Sequence, residues 1–338
     1  MEKQPSFSRI IGGNEDQKEA LVQKAAERAA LSGEEIFGDN LEQPTEEEKL
    51  LINKSVLYVN ELAEHYGSDR VIDPNRVFVL KEGGVSRHTD GTAAGGVVNS
   101  LAQSIGVERK ASPVLFAETI VHEGCHGASY SSGQIIDDGT DRPYRQGISM
   151  RDRSGEGYYF KVAEEAIVSL FAQNFLQNVL RKEADYKVEI QRSEEIKDWL
   201  RSYIKSEMPK EKQAQLLMMI DEILLLPDND HVFDMVNNQS KDDDYKFGYF
   251  TGQYETHLKQ GDIFLERKRE RDQFQAVRQE IVEASKGSLT DQLVFDEFTR
   301  AHFTGDYMPL ARMVEGVLGK GSFRSIATKL GEMNSTSD

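Results

Sequence analysis

The chain predicts an α+β fold in which a small mixed sheet precedes a largely helical C-terminal half. Two observations carry this. Short β-branched and apolar runs concentrate before residue 110, whereas beyond Tyr159 apolar residues recur at helical spacing through most of the chain. The 338 residues are 38% hydrophobic, enough for a sizeable core.

Residues 1–44 scatter Gly, Glu, Asp, Gln and Pro around one short Ala-rich stretch at 21–31, and read as a mobile or loosely docked arm. Thr45 followed by Glu48 makes a capping box ahead of Leu50, Leu51, Val56, Leu57, Val59, Leu62 and Ala63, spaced as one helical face. Asp73-Pro74-Asn75 is a turn into Arg76-Val77-Phe78-Val79-Leu80, a strand. Ser104-Ile105-Gly106-Val107-Glu108 alternates polar and apolar, as a strand with one buried face would. Ser112 and Pro113 form a helix start, a capping hydroxyl with proline in the first turn, and the run from Val114 to about Ser129 continues it.

Between Gly133 and Gly157 the chain is rich in Asp, Arg, Gly and Ser. It reads as a loop or hairpin, with 144–150 pairing residues near Tyr158. Phe160, Ala163, Ile167, Leu170, Phe171, Phe175, Leu176 and Val179 then mark an amphipathic helix over 159–180. Later helices are expected near 193–206, 211–226, 266–286, 290–302, 307–318 and 322–331, separated at Pro209, Pro227, Gly287 and Gly319. The division this implies is an arm at 1–44, a core at 45–185 and a helical C-terminal subdomain at 186–338.

The formal charge is −17, from 58 acidic against 41 basic residues. Such a surface repels phosphate backbones and anionic headgroups, so neither nucleic acid nor a membrane is expected as a partner. The single cysteine, Cys125, leaves no intrachain disulfide framework. With no run near the roughly 18 apolar residues of a membrane helix, and no apolar core behind a basic start, a cytoplasmic location is expected.

Val121-His122-Glu123-Gly124-Cys125-His126 carries the HExxH pattern inside the expected helix. Histidines four apart project from one face a turn apart, so both imidazoles can reach one cation at about 2.0–2.1 Å. Imidazole and carboxylate donors in a redox-silent tetrahedral site suit Zn2+. Glu123 can reach a water in the remaining position and take its proton as the oxygen attacks a carbonyl. The competing reading is two histidines on a surface turn with Glu123 a solvated charge.

The third ligand has several candidates. Continuation to HExxHxxGxxH fails, because Ser129 and Ser132 stand where glycine and histidine are needed. Gly139-Thr140-Asp141-Arg142-Pro143 only begins an aspartate-ligand pattern, which keeps Asp141 as a minor rival. Ala163-Glu164-Glu165-Ala166-Ile167 resembles the glutamate helix of gluzincins such as thermolysin, in which a ligand glutamate precedes a small and then an aliphatic residue. The resemblance spans about residues 77–180 and rests on His122, Glu123, His126 and Glu165.

That resemblance implies a zincin-like fold, with the catalytic core at 45–185, Glu165 as ligand 39 residues (165 − 126) after His126, and a zinc-dependent endopeptidase acting on polypeptide. Glu164 is the alternative ligand if the helix is rotated by one position, and adjacent glutamates are otherwise commonly a solvated pair. Ser169 stands where thermolysin-like enzymes carry an aspartate that orients a ligand histidine, so a backbone carbonyl is expected to do that work.

Tyr158, seven residues before Glu165, matches a position where some gluzincins place an oxyanion-stabilising tyrosine, although Tyr158 and Tyr159 also suit a core. His231 and His257 are rival electrophiles. Cys125 faces away from the metal by helix phase and reads as a small buried hydrophobe. Asp137-Asp138 and Asp242-Asp243-Asp244 lack calcium-loop spacing and read as solvated loops. Two other classes fit the same residues: a non-proteolytic protein with a structural zinc site and a helical interaction module, or a regulatory protease specific for one partner protein.

Overall fold

The computed structural model describes residues 7–89, 95–110, 112–136, 140–152, 157–207, 210, 213, 217 and 267–331. The fold is mixed α+β, with two small sheets among many helices. The strands are β1 (Arg9–Ile11), β2 (Leu41–Glu42), β3 (Val77–Leu80), β4 (Gly96–Asn99), β5 (Ser104–Glu108), β6 (Ser131–Ile135), β7 (Asp141–Gln146), β8 (Ser149–Arg151) and β9 (Tyr158–Tyr159). The helices used below are α1 (Glu15–Ala30), α2 (Gly33–Phe37), α3 (Glu46–His65), α4 (Gly84–His88), α5 (Pro113–Ala128), α6 (Lys161–Asn178) and α7 (Ala184–Glu207). A helix over 267–284 follows, then Asp291–Thr304, Met308–Leu318 and Ser322–Lys329.

Helix α3 starts where its capping box predicts: Glu48 N–H donates to Thr45 Oγ1 at 3.1 Å, and Thr45 N–H to Glu48 Oε2 at 2.6 Å. It buries Leu51, Ile52, Val56, Val59 and Ala63, but Leu50 and Leu57 are 69% and 59% exposed. At 3.6 residues per turn those two lie roughly 100–120° around the helix from Val56, outside the buried stripe.

One sheet runs β2-β3-β5-β4, with β3 and β5 parallel and β4 antiparallel on β5. All five residues of β5 are buried, where alternation suggested one buried face. The strand lies inside the sheet, flanked on both edges, so its pattern does not report a solvent face. The other sheet runs β1-β6-β7-β8-β9, and its β8–β9 pairing joins Met150 to Tyr159 and Arg151 to Tyr158, the hairpin expected near Tyr158.

Residues 7–44 are not a loose arm. Strand β1 pairs in parallel with β6, and β2 pairs with β3, so this segment adds a strand to each sheet. Its helices carry their own capping boxes, Asn14 with Gln17 and Ser32 with Glu35, and bury Leu21, Ala25 and Phe37. Scattered polar residues concealed these anchors, because a two- or three-residue strand leaves almost no periodicity to read.

The chain forms two compact units. The first gathers Met1–Arg109, Thr119–Ala172 and Glu270–Asp338, and so contains both sheets, most of α5, the first two-thirds of α6 and the last three helices. The second gathers Lys110–Glu118 and Gln173–Arg269 and includes α7. The expected boundary at 185/186 is therefore corrected: the last helices belong with the sheets, not with the preceding helical segment. The expected helix at 211–226 lies outside the described residues apart from two positions, 213 and 217. Among the described residues no helix is long and apolar enough to cross a membrane.

Candidate metal centre

Ser112 Oγ accepts from Leu115 N–H at 3.1 Å, and α5 runs from Pro113 through the motif. His122 and His126 stand one turn apart, their ring centroids 5.1 Å apart and their planes at 78°. Glu165 reaches both from α6: its Oε2 lies 3.6 Å from Nε2 of His122 and 3.6 Å from Nε2 of His126. One donor atom from each of these three residues falls within 4.8 Å of the others. The Glu165 side chain is 27% exposed, so the cluster opens to solvent on its side.

Donors 2.0–2.1 Å from a tetrahedral ion stand about 3.3 Å apart, so spacings of 3.6 Å are close to those of a loaded site. The donor set of two imidazoles and one carboxylate fits zinc. The tautomer fits as well. His126 Nδ1 lies 3.0 Å from Glu164 Oε1, and an ionised carboxylate can only accept, so Nδ1 carries a proton and Nε2, on the Glu165 side, is the nitrogen that can take a cation in exchange for its own proton.

Glu164 stands outside this cluster and meets His126 at its other ring nitrogen. Buried at 3% exposure, it divides its oxygens: Oε1 serves His126, while Oε2 accepts from Ile148 N–H at 2.8 Å and lies 2.8 Å from His302 Nδ1. Burial pushes its carboxyl up, but His302 and His126 together outweigh this and hold it at about 2. Burial likewise works against the charged form of Glu165, yet His126 and His122 keep its carboxyl well below the ordinary range. His126 is in turn raised, its burial outweighed by Glu165 and Glu164. The support expected from a backbone carbonyl comes instead from this carboxylate. Ser169, in the position where the aspartate was missing, is buried and accepts from Arg271 Nη1 at 2.7 Å.

The turn between β7 and β8 is shaped around Glu164. Gly147 has φ +55°, and a Cβ there would lie 2.1 Å from Glu164 Oε2 and 2.5 Å from His302 Nδ1, so no larger residue fits. Arg145 holds the turn. It donates to the carbonyls of Gly147 (2.9 Å), Gly305 (2.7 Å) and Ala301 (3.1 Å), with its guanidinium 3.7 Å from the Tyr307 ring centre and 4.6 Å from that of Tyr130. Gln146 Nε2 donates to the His126 carbonyl at 3.2 Å.

Helix α6 is fixed at its start by the C-terminal segment. Phe160 N–H donates to the Ala327 carbonyl at 3.1 Å and Val162 N–H to Leu330 at 3.0 Å. Phe160 itself has φ +59°, uncommon for an aromatic residue, and its ring packs against Phe298, Tyr307 and Phe323. That packing aims Glu164 and Glu165 at α5.

Glu123 lies beneath β4. A Cβ on Gly96 would stand 2.5 Å from Glu123 Cγ and 3.1 Å from its Oε1, so only glycine allows this approach. Other sequence candidates have contacts of their own. Asp141 pairs with Lys24 Nζ at 2.6 Å, on β7. Tyr158 lies on β9 with Arg151 4.9 Å and Lys161 5.7 Å from its ring centre. Cys125 is fully buried, and burial raises its thiol. His231, His257, Asp137-Asp138 and Asp242-Asp243-Asp244 lie outside the described residues. His302 was not singled out by sequence: it lies 138 positions from Glu164, and an isolated histidine in an amphipathic helix carries no spacing signal.

No protein family, curated protein or solved structure matches this chain.

Proposed function

We propose that this chain is a zinc-dependent metallopeptidase of zincin type with a gluzincin ligand set, His122, His126 and Glu165. The observation that carries the reading is Glu165 Oε2 at the same 3.6 Å from both Nε2 atoms, with the other ring nitrogen of His126, Nδ1, already engaged by Glu164. Three protein donors with one side open is the pattern of catalytic rather than structural zinc sites. When bound, zinc supplies Lewis-acid polarisation of a carbonyl and of an attacking water.

Glu123, next to His122 on the same turn, accepts a proton from the water and passes it to the departing amine nitrogen as the peptide C–N bond breaks. Tyr158 is the candidate donor to the carbonyl oxygen as negative charge gathers there. In the sheet order β2-β3-β5-β4, strand β4 is an edge among the described residues and passes directly by Glu123. An extended polypeptide adding to that edge would bring its backbone to the carboxylate.

The test is metal analysis of purified wild type and Glu123→Gln, followed by incubation with an unfolded protein. One zinc per chain in both, with cleavage by wild type alone, is expected. Zinc-free protein, or equal cleavage by both, overturns the proposal; zinc in both with cleavage by neither overturns a general peptidase and leaves a structural site or a protease specific for one partner.

A further inference from the structure

The structure assigns His302 a role in the metal centre: from the helix Asp291–Thr304 it locks Glu164, and through Glu164 it positions His126 for the cation. This inference rests on the metal-site reading above. Its geometry is a chain of three side chains from three helices, His126 Nδ1 to Glu164 Oε1 at 3.0 Å and Glu164 Oε2 to His302 Nδ1 at 2.8 Å. A carboxylate with both oxygens engaged cannot swing about its last torsion, so the ring it holds is fixed in both tautomer and direction.

Four further observations separate this arrangement from ordinary packing. His302 has no exposed surface, an unusual place for an imidazole whose role is only to fill space. Its Nε2 is buried with no hydrogen-bond partner among the described residues, a desolvation cost that an apolar residue of similar size would avoid. A side chain at Gly147, already disfavoured by φ +55°, would also enter the volume that Glu164 and His302 occupy. Arg145 ties the same turn to the carbonyls of Ala301 and Gly305 on either side of His302 in sequence. The last helices therefore complete the centre rather than merely cover it.

The experiment compares full-length wild type with His302→Asn and His302→Gln for zinc affinity, by competition with a chelator, and for the melting temperature of the metal-free protein. The Asn amide nitrogen falls near the Nδ1 position and can still serve Glu164, whereas the Gln amide reaches towards Nε2 and cannot. Zinc binding is expected to weaken about 10- to 100-fold in His302→Gln and to stay within a few-fold of wild type in His302→Asn. Equal affinities across the three proteins overturn the role of His302 while leaving the metal site intact. Equal weakening in both variants, in proportion to their melting temperatures, also overturns it, because a merely structural role predicts that result. If His302→Gln does not fold, His302→Asn decides alone: a folded variant that has lost zinc affinity despite its retained donor excludes the relay. A wild-type protein that takes up no zinc overturns the metallopeptidase reading and this role together.

Discussion

Glu164 Oε1 and His126 Nδ1 lie 3.0 Å apart, so the residue immediately before Glu165 holds His126 from behind. Adjacent side chains on a helix point about 100° apart, which lets one turn of α6 supply both the metal-facing carboxylate of Glu165 and the supporting carboxylate of Glu164. Replacing Glu164 with Ala strands the buried Ile148 N–H and two imidazole N–H groups. We expect a loss of about 1–3 kcal/mol in the metal-free protein, read from the denaturant midpoint. Zinc affinity should fall about 10- to 100-fold. Unchanged zinc binding would return Glu164 to a packing role.

Gly96 offers a way to disturb the proposed base without touching a ligand. A methyl group there would meet Glu123 Cγ at 2.5 Å and must displace it or the strand. A shift of about 1 Å in a reacting group costs roughly 100-fold in rate. Gly96→Ala should therefore lose about that much in kcat/KM on an unfolded protein substrate while binding one zinc with wild-type affinity. Full activity would show that Glu123 does not need its position under β4.

Tyr158 is tested by removing one oxygen. Tyr158→Phe keeps the ring beside Arg151 and Lys161 and deletes only the hydroxyl. As the oxyanion donor it would account for about 100- to 1,000-fold in kcat, with zinc affinity unchanged. A variant as fast as wild type leaves Tyr158 as a packing residue of β9.

A pH dependence of stability is expected away from the metal. Burial raises the Glu48 carboxyl, but hydrogen bonds and charge from Arg109, with those from Thr45, outweigh it and lower the value. Arg109 Nε donates to Glu48 Oε1 at 2.7 Å. A carboxyl lowered by folding stabilises the protein above its unfolded value, near 4.5, and that contribution is lost as pH falls through the lower folded value. Gln at this position keeps the capping box and loses the charge. Glu48→Gln should thus cost less than about 1 kcal/mol at neutral pH and flatten the decline of stability below pH 4.5, read by denaturation with chelator present. An unaltered acid profile would show that the Arg109 pair contributes nothing.

The parts of this protein that depend on local spacing are legible from the residues alone. Two histidines four apart on a helix must share a face; Thr45 with Glu48 and Ser112 with Pro113 must start helices; Val77–Leu80 must be extended, although Arg76, expected in that strand, closes the 3-10 turn before it. The pairing of α5 with a glutamate on α6 was also legible, since His122, His126 and Glu165 do converge. Long-range packing settles which of two adjacent glutamates lies between the two Nε2 atoms, that 7–44 adds a strand to each sheet, and that His302 stands behind Glu164. Those outcomes depend on contacts between segments up to 138 residues apart, set by how buried surfaces fit, and no local period encodes them.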